Sequence, residues 1–174
     1  MILFHNIGDY VHSNYNTRAQ LAAAKGPISF DGIYLNVWEN RDLLVGRNAI
    51  LFIMGDFVGG NNEFDLKAAP DYGLLPERYC TWEQLYQLRN DYGCRLGWHT
   101  WTHRNLTTLP DDDIREELTL PFPFWKPEET PIAYPYGNVD ARVAGIAAEM
   151  GFTEGWSVFQ GDGSPLQQNR RYFR

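Results

Sequence analysis

The runs "MILFHNI", "PISFD", "AILFIM", "CRLGW", "PIAYP" and "FTEGWSV" constrain the fold of this chain more than any other feature. Each is short and mostly apolar on both faces, as a strand must be when it is covered on both sides. Helical patterns separate them, and buried strands alternating with helices specify an α/β domain with parallel strands. The chain has 174 residues, 44% of them apolar, enough for one hydrophobic core. No repeat or linker divides it, so a single domain over residues 1–174 is expected.

Helix signals fill the gaps. Asn36-Val37-Trp38-Glu39 and Thr81-Trp82-Glu83-Gln84 both have capping-box spacing. Gly93 and Gly151 stand where helices should stop. Asp111, Asp112 and Asp113 follow Pro110 and suit the positive end of a short helix, so they read as structural. The stretch from Gly55 to Cys80 is rich in Gly, Asn and Pro. It is expected to lie over the carboxyl ends of the strands, where α/β domains bind ligands.

Charge narrows the partners. A net charge of −7 and a pI of about 5.0, with no Lys/Arg cluster, argue against a nucleic-acid surface. The terminal "NRRYFR" holds three arginines around two aromatics and forms no basic groove. No run approaches the roughly 18 apolar residues of a membrane span, and no leader pattern opens the chain, so a cytoplasmic location is expected. Cys80 and Cys94 match no zinc spacing and read as free thiols. Aromatics reach 15%, with six Trp, which serves core packing and also suits a site that stacks sugar rings.

The chemistry concentrates in "LGWHTWTHRNL". His99 follows directly on the strand "CRLGW", and His103 lies four residues on. A helical turn over Thr100–His103 would put both rings on one face, about 6 Å apart at Cβ, able to share a metal ion. Two histidines on a metal usually have a carboxylate partner. Asp31, ending "PISFD" and followed by Gly32, is the best placed; alternatively it caps the next turn. "AYPYG", Ala133 to Gly137, ends another apolar strand in a tight turn that can aim backbone N–H groups at a site.

The order "SFDG", "HTWTH", "YPYG", each at a strand end, resembles the polysaccharide deacetylase family (NodB homology, carbohydrate esterase family 4) from residue 28 through "GFTEGWSV". "GWHTWTHRNLTTL" is the most specific part of the match. The resemblance implies a distorted (β/α)7 barrel and a divalent metal, commonly zinc, bound by one Asp and two His, here His99 and His103. It implies removal of an acetyl group from an N-acetylated carbohydrate, with an Asp as general base and the Tyr136 backbone N–H stabilising the oxyanion. It also assigns Tyr134, Pro135 and Trp156 to substrate binding, with Trp156 as a wall of the acetyl pocket.

The first motif departs from the family's Thr/Ser-Phe-Asp-Asp-Gly. Aligned from the left, Asp31 is the base and Gly32 occupies the ligand position; aligned from the right, Asp31 is the metal ligand and Phe30 replaces the base. The left alignment keeps three matching residues. His5, Asp9 and Asp56 are the nearby groups able to fill the vacant role, and a catalytically impaired carbohydrate-binding module is the alternative reading. The Arg that orients the base in the family is absent before the third motif, where Ile132, Ala133 and Tyr134 stand. The family's late His motif is missing, and "NRRYFR" resembles a late Pro-Arg-rich strand of exopolysaccharide deacetylases, so a chain clipped at its C-terminus is expected. Surface-polysaccharide or O-antigen synthesis is the implied setting.

Overall fold

The runs of apolar residues become strands because their β-branched and aromatic side chains pack on a pleated surface from both sides. In a computed structural model, which describes residues 1–8, 15–68, 75–123, 125–158 and 160–173, all six contribute a strand to a closed parallel barrel, and a seventh strand from the polar "QNRRY" completes it. These are β1 (Ile2–Phe4), β4 (Ile28–Asp31), β5 (Ile50–Ile53), β6 (Arg95–Trp98), β7 (Ile132–Ala133), β8 (Gly155–Val158) and β9 (Gln168–Tyr172), paired in that order. Closure comes from β9 lying parallel to β1, with Ile2 opposite Arg171 and Leu3 opposite Tyr172. The run "MILFHNI" does not remain one strand. It breaks at His5, and its end forms β2 (Asn6–Ile7), paired with β3 (Tyr15–Asn16) outside the barrel.

Strand alternation sorts the side chains into two layers. Ile28, Phe30, Leu51, Ile53 and Trp98 face outward into the main core. There they meet helices α1 (Arg18–Ala23), α2 (Leu35–Glu39), α4 (Trp82–Tyr92), α5 (Asp111–Leu118) and α6 (Ala141–Glu149), through Leu21, Val37, Leu85, Ile114 and Val143. The short α3 (Glu63–Ala68) follows β5. Full burial of one such Phe or Leu contributes roughly 1.5–3 kcal/mol. The opposite faces carry Ser29 and Asp31 toward the barrel axis, where Ile50, Phe52 and Ala133 form a smaller cluster.

The helix ends follow the expected chemistry in most places. Thr81 caps α4 in a full capping box with Gln84, and Gly93 ends it in the left-handed region at φ 70°. Pro110 precedes α5, whose first turn holds Asp111, Asp112 and Asp113. Gly151 adopts φ 94° just after α6. The capping box expected at Asn36 is not formed. Tyr34 is the N-cap of α2, and Asn36 is buried inside it. The Asn36 side chain is diverted to accept from the Ile7 N–H and donate to the Asn6 side chain. Cys80 and Cys94 are buried free thiols, and burial pushes both up to about 12, far from reactivity. Among the described residues, no helix is long and apolar enough to cross a membrane.

Candidate functional site

Asp31 ends β4 level with Phe52 of β5, 6% exposed. A carboxylate this deep needs compensation, and Arg170 supplies it from β9. The guanidinium forks onto the carboxylate, Nη1 donating to Oδ1 and Nη2 to Oδ2 at 2.8 Å. Nη1 also reaches Ser29 Oγ at 3.3 Å, and the cation lies 5.0 Å from the centroid of the Phe52 ring. Burial works to raise the Asp31 carboxyl, but Arg170, then His99, outweigh it and hold it at about 2. Arg170 thus orients the Asp31 carboxylate from β9, although no Arg stands just before "YPYG". The partner of Arg170 lies 139 residues earlier, beyond the reach of any local pattern.

His99 follows β6 and is anchored by its backbone N–H on the Ile53 carbonyl, 2.8 Å away. Its Nδ1 stands 2.7 Å from the Ala133 carbonyl. A carbonyl only accepts, so Nδ1 carries the proton and Nε2 presents a bare lone pair. That lone pair faces Asp31 Oδ2 at 3.7 Å. Burial, opposed by the Asp31 charge, pulls the imidazole down to about 3, so the ring is neutral at physiological pH. The His103 ring sits edge-on to it with centroids 4.8 Å apart.

The two rings meet by a route different from the one expected. Thr100 to His103 form a bend, not a helical turn, with Thr100 at φ 71° and His103 at φ 59°. Left-handed backbone at non-glycine residues costs on the order of 1–3 kcal/mol each, so the loop must be held. The His103 N–H donates to Thr100 Oγ1, and the Trp101 and Thr102 N–H groups donate to Glu117 on α5. Gly55 lets the loop approach β5: a Cβ there would overlap the Trp101 indole.

The turn Pro135–Gly137 brings in Tyr136, left-handed at φ 59°, 59% exposed, its ring 4.7 Å from that of His103. Gly137 is required here, because a Cβ would lie 2.7 Å from the Val158 backbone N. Tyr134 and Pro135 are buried, and the Tyr134 hydroxyl donates to the Leu166 carbonyl. Their side chains therefore brace the turn from behind. Trp156 is half-buried against the inner cluster of Ile50, Phe52 and Ala133, its indole N–H donating to Glu154.

His5 stacks on Tyr172 at 6.1 Å and lies near enough for its charge to help depress Asp31. Asp56 is exposed on the turn Gly55–Phe57, and its backbone N–H donates to the Trp101 carbonyl. Asp9 lies outside the described residues. The position after Asp31 is enclosed. Gly32 has φ +62°, and a Cβ would meet Met54 at 2.9 Å with the Tyr79 and Tyr34 rings just beyond.

Among the described residues, no three acidic, His or Cys side chains form a ready cation cage. The donor chemistry nevertheless fits a divalent ion. The bare Nε2 of His99 and the ionised Asp31 are both acceptors, they face each other with no proton to share, and His103 adjoins them.

The neutral His99 makes stability depend on pH in the metal-free protein. Its folded value, about 3, lies below the roughly 6.5 of an unfolded histidine, so between these the unfolded chain holds the extra proton. Its contribution is full above about pH 6.5 and is lost as pH falls toward 3. Asp31 acts in the same sense only below about pH 3.9, down to about 2. Urea midpoints should drop between pH 7.5 and 4.5, and His99→Gln should remove most of that slope. An unchanged slope in the variant would refute the assignment.

The sequence profile of the polysaccharide deacetylase family matches residues 45–155. Chitin deacetylase 1 of Cryptococcus neoformans var. grubii is 39% identical over 84 residues, covering 46% of this chain and 18% of that protein. The match thus spans under a fifth of that relative. Among solved structures, the Streptococcus pyogenes deacetylase PplD in complex with acetate superposes with a TM-score of 0.67 at 15% identity, over 98% of this chain and 90% of that one. A polysaccharide deacetylase from Bacillus cereus gives 0.70 at 14% identity, over 99% and 63%. IcaB from Ammonifex degensii gives 0.67 at 17% identity, over 98% and 88%.

Proposed function

The chain belongs to the polysaccharide deacetylase family, and from that membership we propose that it hydrolyses the N-acetyl groups of an oligomeric or polymeric sugar with a divalent metal, zinc foremost. The observation that carries the reading is the facing of His99 Nε2 and Asp31 Oδ2 at 3.7 Å beside the His103 ring. His99 and His103 would hold the ion. When bound, a divalent ion lowers the pKa of a water toward 7 and polarises an amide carbonyl.

The remaining roles fall to the chain itself. Asp31, ionised across the neutral range and gripped by Arg170, accepts the proton of the attacking water. The Tyr136 backbone N–H stabilises the oxyanion as the carbonyl becomes tetrahedral, and the exposed Tyr136 ring offers a flat face to a sugar. Arg170 keeps the carboxylate in one orientation, so no reorganisation is needed during the reaction.

The test is acetate release from N-acetylglucosamine oligomers by purified protein supplied with Zn²⁺, with bound zinc measured on the same samples. The wild type should hold near-stoichiometric zinc and release acetate; His99→Ala/His103→Ala should lose both. Zinc retained without acetate from any acetylated sugar would favour the carbohydrate-binding module instead. Equal acetate release by both proteins would overturn the metal role of the two histidines.

A further inference from the structure

Glu117 is an acidic residue on the buried face of α5, beside Ile114 and Leu118. In "DDDIREEL" it is the charged residue on a stripe that is otherwise apolar, and its side chain is 2% exposed. Four donors surround its carboxylate, and all come from the short loop that carries the two histidines. They are the N–H groups of Trp101 and Thr102, each at 2.9 Å, the Thr102 hydroxyl, and Arg104 Nε at 2.9 Å. The same residue's backbone carbonyl accepts the Trp98 indole N–H at 2.9 Å. Glu117 therefore grips residues 98, 101, 102 and 104, flanking His99 and His103 on both sides.

We propose that Glu117 is the positioning residue of this site: by seating its carboxylate in the loop, it sets how the His99 and His103 rings face each other, and hence the loop's affinity for a divalent cation. The loop does not hold this shape by preference, since Thr100 and His103 are both left-handed without being glycine. Each N–H that Glu117 accepts is one that a helical turn over the same residues would spend differently. The charge persists because Arg104 bridges Glu117 and Asp113 on neighbouring turns of α5, and the loop donors hold the Glu117 carboxyl low against burial. An anion that accepts several charge-assisted bonds fixes geometry more tightly than a neutral amide of equal size. The effect on cation affinity rests on the deacetylase reading above; the effect on ring geometry does not.

The test compares wild type, Glu117→Gln and Thr102→Val. The Gln variant keeps the size of the side chain but turns an NH₂ group toward donors. The Val variant removes the hydroxyl, with its bonds to Glu117 and from Arg104, while leaving the Glu117 carboxylate in place, and guards against outright unfolding of the first. Three readouts are taken on folded protein, checked by circular dichroism: histidine ring ¹⁵N shifts without metal, Zn²⁺ affinity by chelator competition, and kcat and KM for acetate release. Glu117→Gln should move the His99 and His103 ring signals, weaken Zn²⁺ binding by roughly 10–100-fold as removal of a supporting group does, and lower kcat with little change in KM. Thr102→Val should shift all three the same way but less. Variants that lose only unfolding resistance, with ring signals and Zn²⁺ affinity as in the wild type, would overturn the inference and leave Glu117 a plain stabiliser. A wild type that neither binds Zn²⁺ nor releases acetate would overturn the deacetylase reading instead, while the ring signals would still decide the positioning role.

Discussion

Replacing Arg170 with methionine should lower folding stability by about 3–5 kcal/mol, the usual cost of stripping one partner from a buried ion pair. The magnitude follows from where the pair lies. Arg170 is 1% exposed and Asp31 6%, so the carboxylate left behind has little access to water. The lost fork is bidentate, and the guanidinium also covers the Phe52 ring. Arg170→Lys should recover only part, because an ammonium cannot engage both oxygens in a plane. A double-mutant cycle sharpens the test. Asp31→Asn with Arg170→Met should be markedly less destabilised than the two single losses added together, because neither buried charge then remains unpaired. Additive losses in urea unfolding would mean that the two side chains stabilise the barrel independently.

Asp31→Asn should reduce acetate release by about 10²–10⁴-fold, the range expected for removing a general base. An amide is the same size, but it cannot take a proton at neutral pH and turns an NH₂ group toward Arg170 or His99. The same change leaves the Arg170 cation buried and unpaired, so turnover has to be read on protein shown to be folded at the assay temperature. The acid limb of kcat/KM is the more specific observable. With Asp31 held at about 2, the wild type should show no loss from this group until the solution is strongly acidic. A variant retaining more than a tenth of wild-type turnover would remove Asp31 from the chemistry and direct attention to His5, whose charge also acts on Asp31.

Much of the architecture was written locally. Runs apolar on both faces had to be parallel strands covered on both sides, and Thr81, Gly93 and Pro110 marked helix ends by rules that act within one turn. The residues brought to strand ends, Asp31, His99 and the turn before Gly137, were legible for the same reason: a polar group directly after a buried strand emerges at the barrel rim. Asn36 shows the limit of such reading. Its capping spacing was correct, but a long-range partner in the backbone of Ile7 competed for the side chain and won.

What sequence by itself determined was therefore the set of elements, their order and the identity of the groups delivered to one face. Closure decided the rest. Only when β9 lies against β1 does Arg170 reach Asp31, and only when α5 packs under the loop does Glu117 bend His99 and His103 together without a helix. The physical reason is range: capping and alternation act over a few residues, whereas a buried charge finds its partner wherever the barrel brings one, here 139 positions away.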